Sequence, residues 1–154
     1  MIENYLIPER IHLQEQVKDW QELVDVVGDI MCKLGDVDHN YTKAIKNGIE
    51  KYGPYSVVVP GVVILHARPE DGVKNLSVAF VTLEKGVNFG SENDPVFVGI
   101  GLAATDNEKH LGIIKDIAHI IENEELIERI SSYKSDNVDG FITYINDQLN
   151  NTEE

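Results

Sequence analysis

The chain has 154 residues, 42% of them apolar and 26% charged, which suits one globular domain with a single core and excludes a disordered composition. Acidic residues outnumber basic ones 27 to 13, a net charge of −14 that repels nucleic acid and anionic lipid. No apolar run reaches the roughly 18 residues that a bilayer span requires, and "MIENYLIPER" lacks the basic-then-apolar order of a signal peptide. With one cysteine, Cys32, no internal disulfide can form, which fits a reducing cytoplasm.

From Val17, the apolar positions Trp20, Leu23, Val24, Val27, Ile30, Met31 and Leu34 recur at spacings of three and four. They predict an amphipathic helix ended by Gly35, with Cys32 inside its apolar stripe as a core side chain. A second helix is predicted from about Tyr41, carrying Ala44, Ile45, Ile49 and Tyr52 on one face and stopped by Gly53-Pro54.

A β section follows. Val57 to Val59 and Gly61 to Leu65 are short strands broken at Pro60-Gly61, and "LSVAFVTL" from Leu76 to Leu83 is a third strand. Glu84-Lys85-Gly86 reads as a turn, as does Asp94-Pro95 before the continuous apolar strand Val96 to Ala104. Thr105-Asp106-Asn107 suits a helix start, and Leu111, Ile114, Ile117, Ala118 and Ile121 form the apolar face of the helix that follows. Short helices around Glu124 to Ile130 and Val138 to Leu149 complete the pattern. The expected fold is an α/β single-domain sandwich over residues 1–150, a small central sheet flanked by helices, with 151–154 as a frayed tail.

Two histidines stand out by position. His66 ends an apolar strand and opens the polar segment "HARPEDGV", so a rigid strand presents it at a loop rim. A neutral imidazole there is a nucleophile, a base or a ligand, or simply a side chain bonded to a carbonyl. His110 lies in the first turn of the helix after the buried strand, where N–H groups and the helix dipole favour an anion. If the two strands are neighbours, both imidazoles meet at one sheet edge, an arrangement suited to phosphoryl chemistry. Taken alone, His110 reads first as a solvated helix-start residue.

Arg68 is positioned to clamp a phosphoryl oxygen or to pair with Glu70 or Asp71. His12, His39, His66, His110 and His119 show no close ligand pair, so no metal is expected, and His119 faces away from His110 on its helix. There is no G-x-S-x-G elbow and no P-loop, and "GIG" at Gly99 to Gly101 lacks a third glycine. Phosphate handled here therefore arrives on a protein rather than on a nucleotide, and no cofactor is implied.

In this order, "PGVVILHARPEDGV" and "VNFGSENDPVFVGIGLAATDNEKHLGIIKDIAHII" resemble the enzyme IIA domain of the mannitol/fructose class of the bacterial sugar phosphotransferase system. "YGPY" and "HARPEDGV" look like its ascorbate-type branch, and the similarity runs from about Tyr41 to Ile130. The resemblance implies a mixed sheet flanked by helices and a cytoplasmic phosphocarrier. It implies that His66 takes a phosphoryl group from phospho-HPr and gives it to a cysteine of enzyme IIB, with His110 beside it and the membrane reached only through enzyme IIC. Leu65 stands where most members have proline, and the stretch before the strand has Lys51 but no arginine. A regulatory phosphoprotein of the same fold and a small-molecule binding module remain the alternatives.

Overall fold

The computed structural model describes residues 1–105 and 110–152. Five strands form one mixed sheet: β1 (Ile11–Glu15), β2 (Val57–Val59), β3 (Val62–Leu65), β4 (Ser77–Val87) and β5 (Val96–Ala103). Their spatial order is β1-β4-β5-β3-β2. β1 runs parallel to β4 and β3 parallel to β5, whereas β4–β5 and β2–β3 are antiparallel. The central strand β4 is buried on both faces through Leu83, which is why its sequence reads as an almost unbroken apolar run.

Helices α1 (Trp20–Lys33) and α2 (His39–Tyr52) cover one face of the sheet. Helices α3 (Leu111–Glu122), α4 (Glu124–Ile130) and α5 (Val138–Thr152) cover the other, giving two apolar clusters on either side of the sheet. Asp19 caps α1 by accepting from the Glu22 N–H at 2.9 Å, and Asp38 caps α2 by accepting from Asn40 at 2.9 Å. α1 lies so close to β5 that a Cβ at Gly101 would collide with Val27. Only glycine permits that approach.

The structure departs from the sequence expectation in three places. β1 was not expected: Ile11 and Leu13 point inward, but two alternating apolar residues among charged neighbours are too short a signal. Glu84-Lys85-Gly86 is not a turn, because β4 continues to Val87, whose partner across the ladder is Val96. The ladder shifts register between Thr82 and Val87, so the segment is an irregularity within an extended strand and not a chain reversal. α5 runs to Thr152 rather than ending at Leu149. The expected cap at Asp106 and Asn107 lies outside the described residues, and His110 is the N-cap residue of α3. No helix is long and apolar enough to cross a membrane among the described residues.

Candidate functional site

The parallel pairing of β3 with β5 decides where the site lies. Val62, Val63, Ile64 and Leu65 pair in register with Val98, Gly99, Ile100 and Gly101, so the two strands end on the same rim. His66 is the first residue past β3 and is exposed, and the chain leaving β5 returns at His110, half-buried at the start of α3. The carboxyl ends of adjacent parallel strands thus bring together the two histidines singled out by position.

Tyr41 ties this rim from below. Its hydroxyl donates to the Leu102 carbonyl at 2.6 Å and accepts from the Ala67 N–H at 3.0 Å, bridging the ends of β5 and β3. Burial pushes its phenol up to about 12. Sequence reasoning used Tyr41 only as a helix start; an inward tyrosine offers no signal for which backbone groups its hydroxyl will find.

The chain beyond His66 is fixed as well. Pro69–Asp71 forms a 3-10 turn in which Asp71 accepts from the Arg68 N–H at 3.0 Å and from its guanidinium at 3.4 Å. Gly72, at φ +127, lies against Asp38, and its carbonyl accepts from the Asp38 N–H at 3.0 Å. Deeper, the buried Asp36 pairs with Arg10 at 3.0 Å and accepts from the Ser77 hydroxyl at 2.8 Å. Its carbonyl also receives the N–H groups of Lys74 and Asn75. This network anchors the loop after His66 to the α1–α2 connection, and residues so distant in sequence gave no sign of it.

His66 stands between two clefts of different character. On the α3 side, a groove of about 370 Å³ is lined by His66, His110 and apolar groups including Ile64, Leu102, Ile114 and Ile117. Among the described residues that line it there is no carboxylate. On the α2 side, a cleft of about 430 Å³ is lined by Asn47, Lys51, Tyr55, His66 and Arg68, with Asp71 already engaged by Arg68. The Tyr55 ring meets the His66 ring edge-on, with centroids 6.4 Å apart and planes at 88°. Tyr52, Tyr55, Leu111 and Ile114 are exposed around the rim, a surface that an approaching protein can dry.

The other candidates fall elsewhere. His12 lies in β1, 3.6 Å from Glu15, and His119 is exposed on α3. Cys32 is partly buried against the α1–α2 cluster, with Sγ 3.9 Å from the His39 Nδ1. Burial pushes its thiol up, away from a reactive thiolate. Among the described residues, no three His, Cys, Asp or Glu side chains gather as metal ligands.

The two histidines thus share one rim of the sheet, His66 exposed and His110 at a helix start, beside open grooves and not inside an enclosed pocket. The family profile "Phosphoenolpyruvate-dependent sugar phosphotransferase system, EIIA 2" matches residues 4–148, and the chain belongs to that family. It is 37% identical over 128 residues to the "Ascorbate-specific PTS system EIIA component" of Escherichia coli, covering 82% of this chain and 83% of that protein. The mannitol-specific cryptic phosphotransferase enzyme IIA CmtB of Escherichia coli superposes with a TM-score of 0.82 at 31% identity, over 92% of this chain and 96% of that one. The enzyme IIA in the Escherichia coli complex of IIAMTL with phosphorylated IIBMTL gives 0.72 at 27% identity, over 88% and 94%. By sequence the chain is related to the ascorbate-specific branch within the mannitol/fructose type. It is a phosphocarrier of the sugar phosphotransferase system, a phosphotransferase component working through phosphohistidine.

Proposed function

We propose that His66 is the phosphoryl acceptor, that phospho-HPr is the donor and that a cysteine of an ascorbate-type enzyme IIB is the next acceptor. The observation that carries this reading is the placement of His66 and His110 on one groove at the ends of two parallel strands. A ring nitrogen of His66 attacks phosphorus in line as the N–P bond of the donor phosphohistidine breaks. The donor imidazole departs with the bonding pair and is neutralised by a proton. In the second step the cysteine sulfur attacks, an S–P bond forms, and the His66 imidazole leaves in the same way.

Such transfers proceed through a loose transition state whose charge spreads over three equatorial oxygens, so positioning and electrostatics supply most of the catalysis. Tyr41 and the β3–β5 ladder supply the positioning. His110, at the N-terminus of α3, is the supporting group: an imidazole N–H and the helix dipole both favour the developing negative charge. The apolar groove and exposed Leu111 and Ile114 exclude water once a partner docks, protecting the N–P bond from hydrolysis. Ascorbate as the transported compound is supported by the related Escherichia coli protein, whose name carries that specificity.

The test is intact-protein mass after incubation with phosphoenolpyruvate, enzyme I and HPr. One acid-labile phosphoryl group on the wild type and none on His66→Ala is expected. A fully phosphorylated His66→Ala protein overturns the assignment. Presenting the phosphorylated protein with enzyme IIB domains of ascorbate and mannitol systems then reads the branch: faster discharge to the mannitol domain removes the ascorbate assignment.

A further inference from the structure

A further cleft lies away from the histidines. It has a volume of about 700 Å³ and opens at the other end of β3, between the β2–β3 turn at Pro60-Gly61 and the end of α3 with α4. α3 is 12 residues long, so this cleft and His110 stand at opposite ends of a helix roughly 18 Å in length. It shares the Ile121 side chain with the groove at the histidines, and neither histidine lines it.

Its walls are apolar and its rim is of one sign. Val59, Phe97, Ile121 and Ile127 line the interior, and Phe97 is still 36% exposed. Glu84, Glu122, Glu124 and Glu128 supply all of its charged lining groups, beside the neutral Gln14, Ser131 and Ser132, and no lysine, arginine or histidine lines it. Glu84 accepts a hydrogen bond from the neutral Gln16 amide at 2.7 Å. Among the described residues, Glu122, Glu124 and Glu128 have no ion-pair partner. Arg129, next to Glu128, is held over the rings of Tyr133 and Tyr144, 5.8 and 5.0 Å from their centroids, and Lys85, next to Glu84, is exposed and is not among the lining residues.

An anion is repelled by this rim, and a plain metal ion gains nothing from the apolar walls. A neutral ligand leaves the mutual repulsion of the glutamates unrelieved. The volume lies in the range of small-molecule sites, roughly 300–1,000 Å³, and the lining has the usual form of apolar walls with a few convergent polar groups. We infer that this cleft is a second binding site, for a small organic cation whose apolar body seats against Phe97, Ile121 and Ile127 and whose ammonium or guanidinium head lies among the glutamates.

The probe is dansylcadaverine, an aromatic body bearing a primary ammonium, followed by fluorescence with the full chain. Saturable binding at one site is expected, weakening as salt is raised. Glu84→Gln/Glu122→Gln/Glu128→Gln lowers the affinity by about tenfold or more, since each lost rim charge removes a factor of a few. Phe97→Ala also weakens it, without changing the net charge. A charge-matched control, Glu9→Gln/Asp29→Asn/Glu50→Gln, removes three exposed carboxylates elsewhere and leaves binding unchanged. So does His66→Ala, which separates this site from the relay. Equal loss in the two triple variants, loss in His66→Ala, unsaturable binding, or equally tight binding of the anion 1-anilinonaphthalene-8-sulfonate overturns the inference.

Discussion

At the end of β3, the groups around His66 are His110, Lys51, Arg68 and exposed aromatic and aliphatic side chains; at its start, beside Val59 and Gly61, four glutamates ring an apolar cleft. Among the described residues, one short strand therefore separates a rim with few unpaired carboxylates from a rim made of them. On a chain of net charge −14, keeping acid away from the first rim matters more than adding base to it. A phosphoryl group brings its own negative charge, and each carboxylate within a few ångströms raises the barrier to its arrival. In its described residues the histidine rim is thus electrostatically quiet and geometrically rigid, and the glutamate rim is the reverse in charge.

The largest effect that can break this comparison comes from His110. Replacing it by alanine removes the group proposed to share the equatorial charge while leaving His66 on its strand. Phosphoryl transfer from phospho-HPr is expected to slow by about 10²-fold, the usual cost of losing one such donor. The same variant keeps its thermal midpoint within a few degrees, since His110 lies at a helix start and outside both apolar clusters. Rapid-quench transfer kinetics and thermal unfolding measure the two separately; a transfer rate near wild type makes His110 a bystander.

Tyr41 comes next, and it tests rigidity rather than charge. Tyr41→Phe keeps the buried ring and leaves the Ala67 N–H and Leu102 carbonyl without their shared partner, a loss of about 1–3 kcal/mol of stability. The pH dependence is specific. An unfolded phenol ionises near 10 and the folded one near 12, so between those values the folded chain keeps a proton that the unfolded chain has given up. This contribution is fully present below pH 10 and is lost as the pH rises through about 12, amounting to about 3 kcal/mol. Denaturant titrations at a series of alkaline pH values should show that decline in the wild type and a flatter curve in Tyr41→Phe. Parallel curves exclude Tyr41 as its source.

How much of this was readable in the sequence follows from the range of the interactions. α1, α2 and α3 announced themselves because an apolar stripe repeats over three or four turns, and β3 and β5 because an apolar β-branched run is itself the pattern of a buried parallel strand. His66 and His110 stood out for the same local reason, each at the edge of such an element. That they share a groove depended on β3 neighbouring β5, a matter of strand order that no local pattern carries. The Tyr41 bridge, the Arg10–Asp36–Ser77 network and the Tyr55–His66 ring contact join residues 11 to 67 positions apart, where spacing holds no periodic signal. The glutamate cleft was hidden for the same reason: Glu84 is nearly 40 residues from the others, and each alone reads as a solvated surface charge.

The smallest expected effect sharpens the comparison most, because Arg68 decides whether the histidine rim is merely quiet or actively basic. Its guanidinium is 74% exposed and spans Glu70 at 3.6 Å and Asp71 at 3.4 Å, with Asp71 also closing the turn through the Arg68 N–H. A cation already shared by two carboxylates, in water, has little field left for a phosphoryl oxygen. Arg68→Gln is therefore expected to leave stability essentially unchanged, since exposed pairs contribute little. For the same reason transfer from phospho-HPr should stay within about twofold of wild type. Asp71→Asn is the complementary variant: it weakens the turn and frees the guanidinium, so transfer rises if Arg68 can reach the phosphoryl group and falls or stays level if it cannot. A loss of tenfold or more in Arg68→Gln, with unchanged folding, would make the arginine part of the relay and the rim basic by design, and the contrast between the two ends of β3 would then be one of opposite charge rather than of charge against its absence.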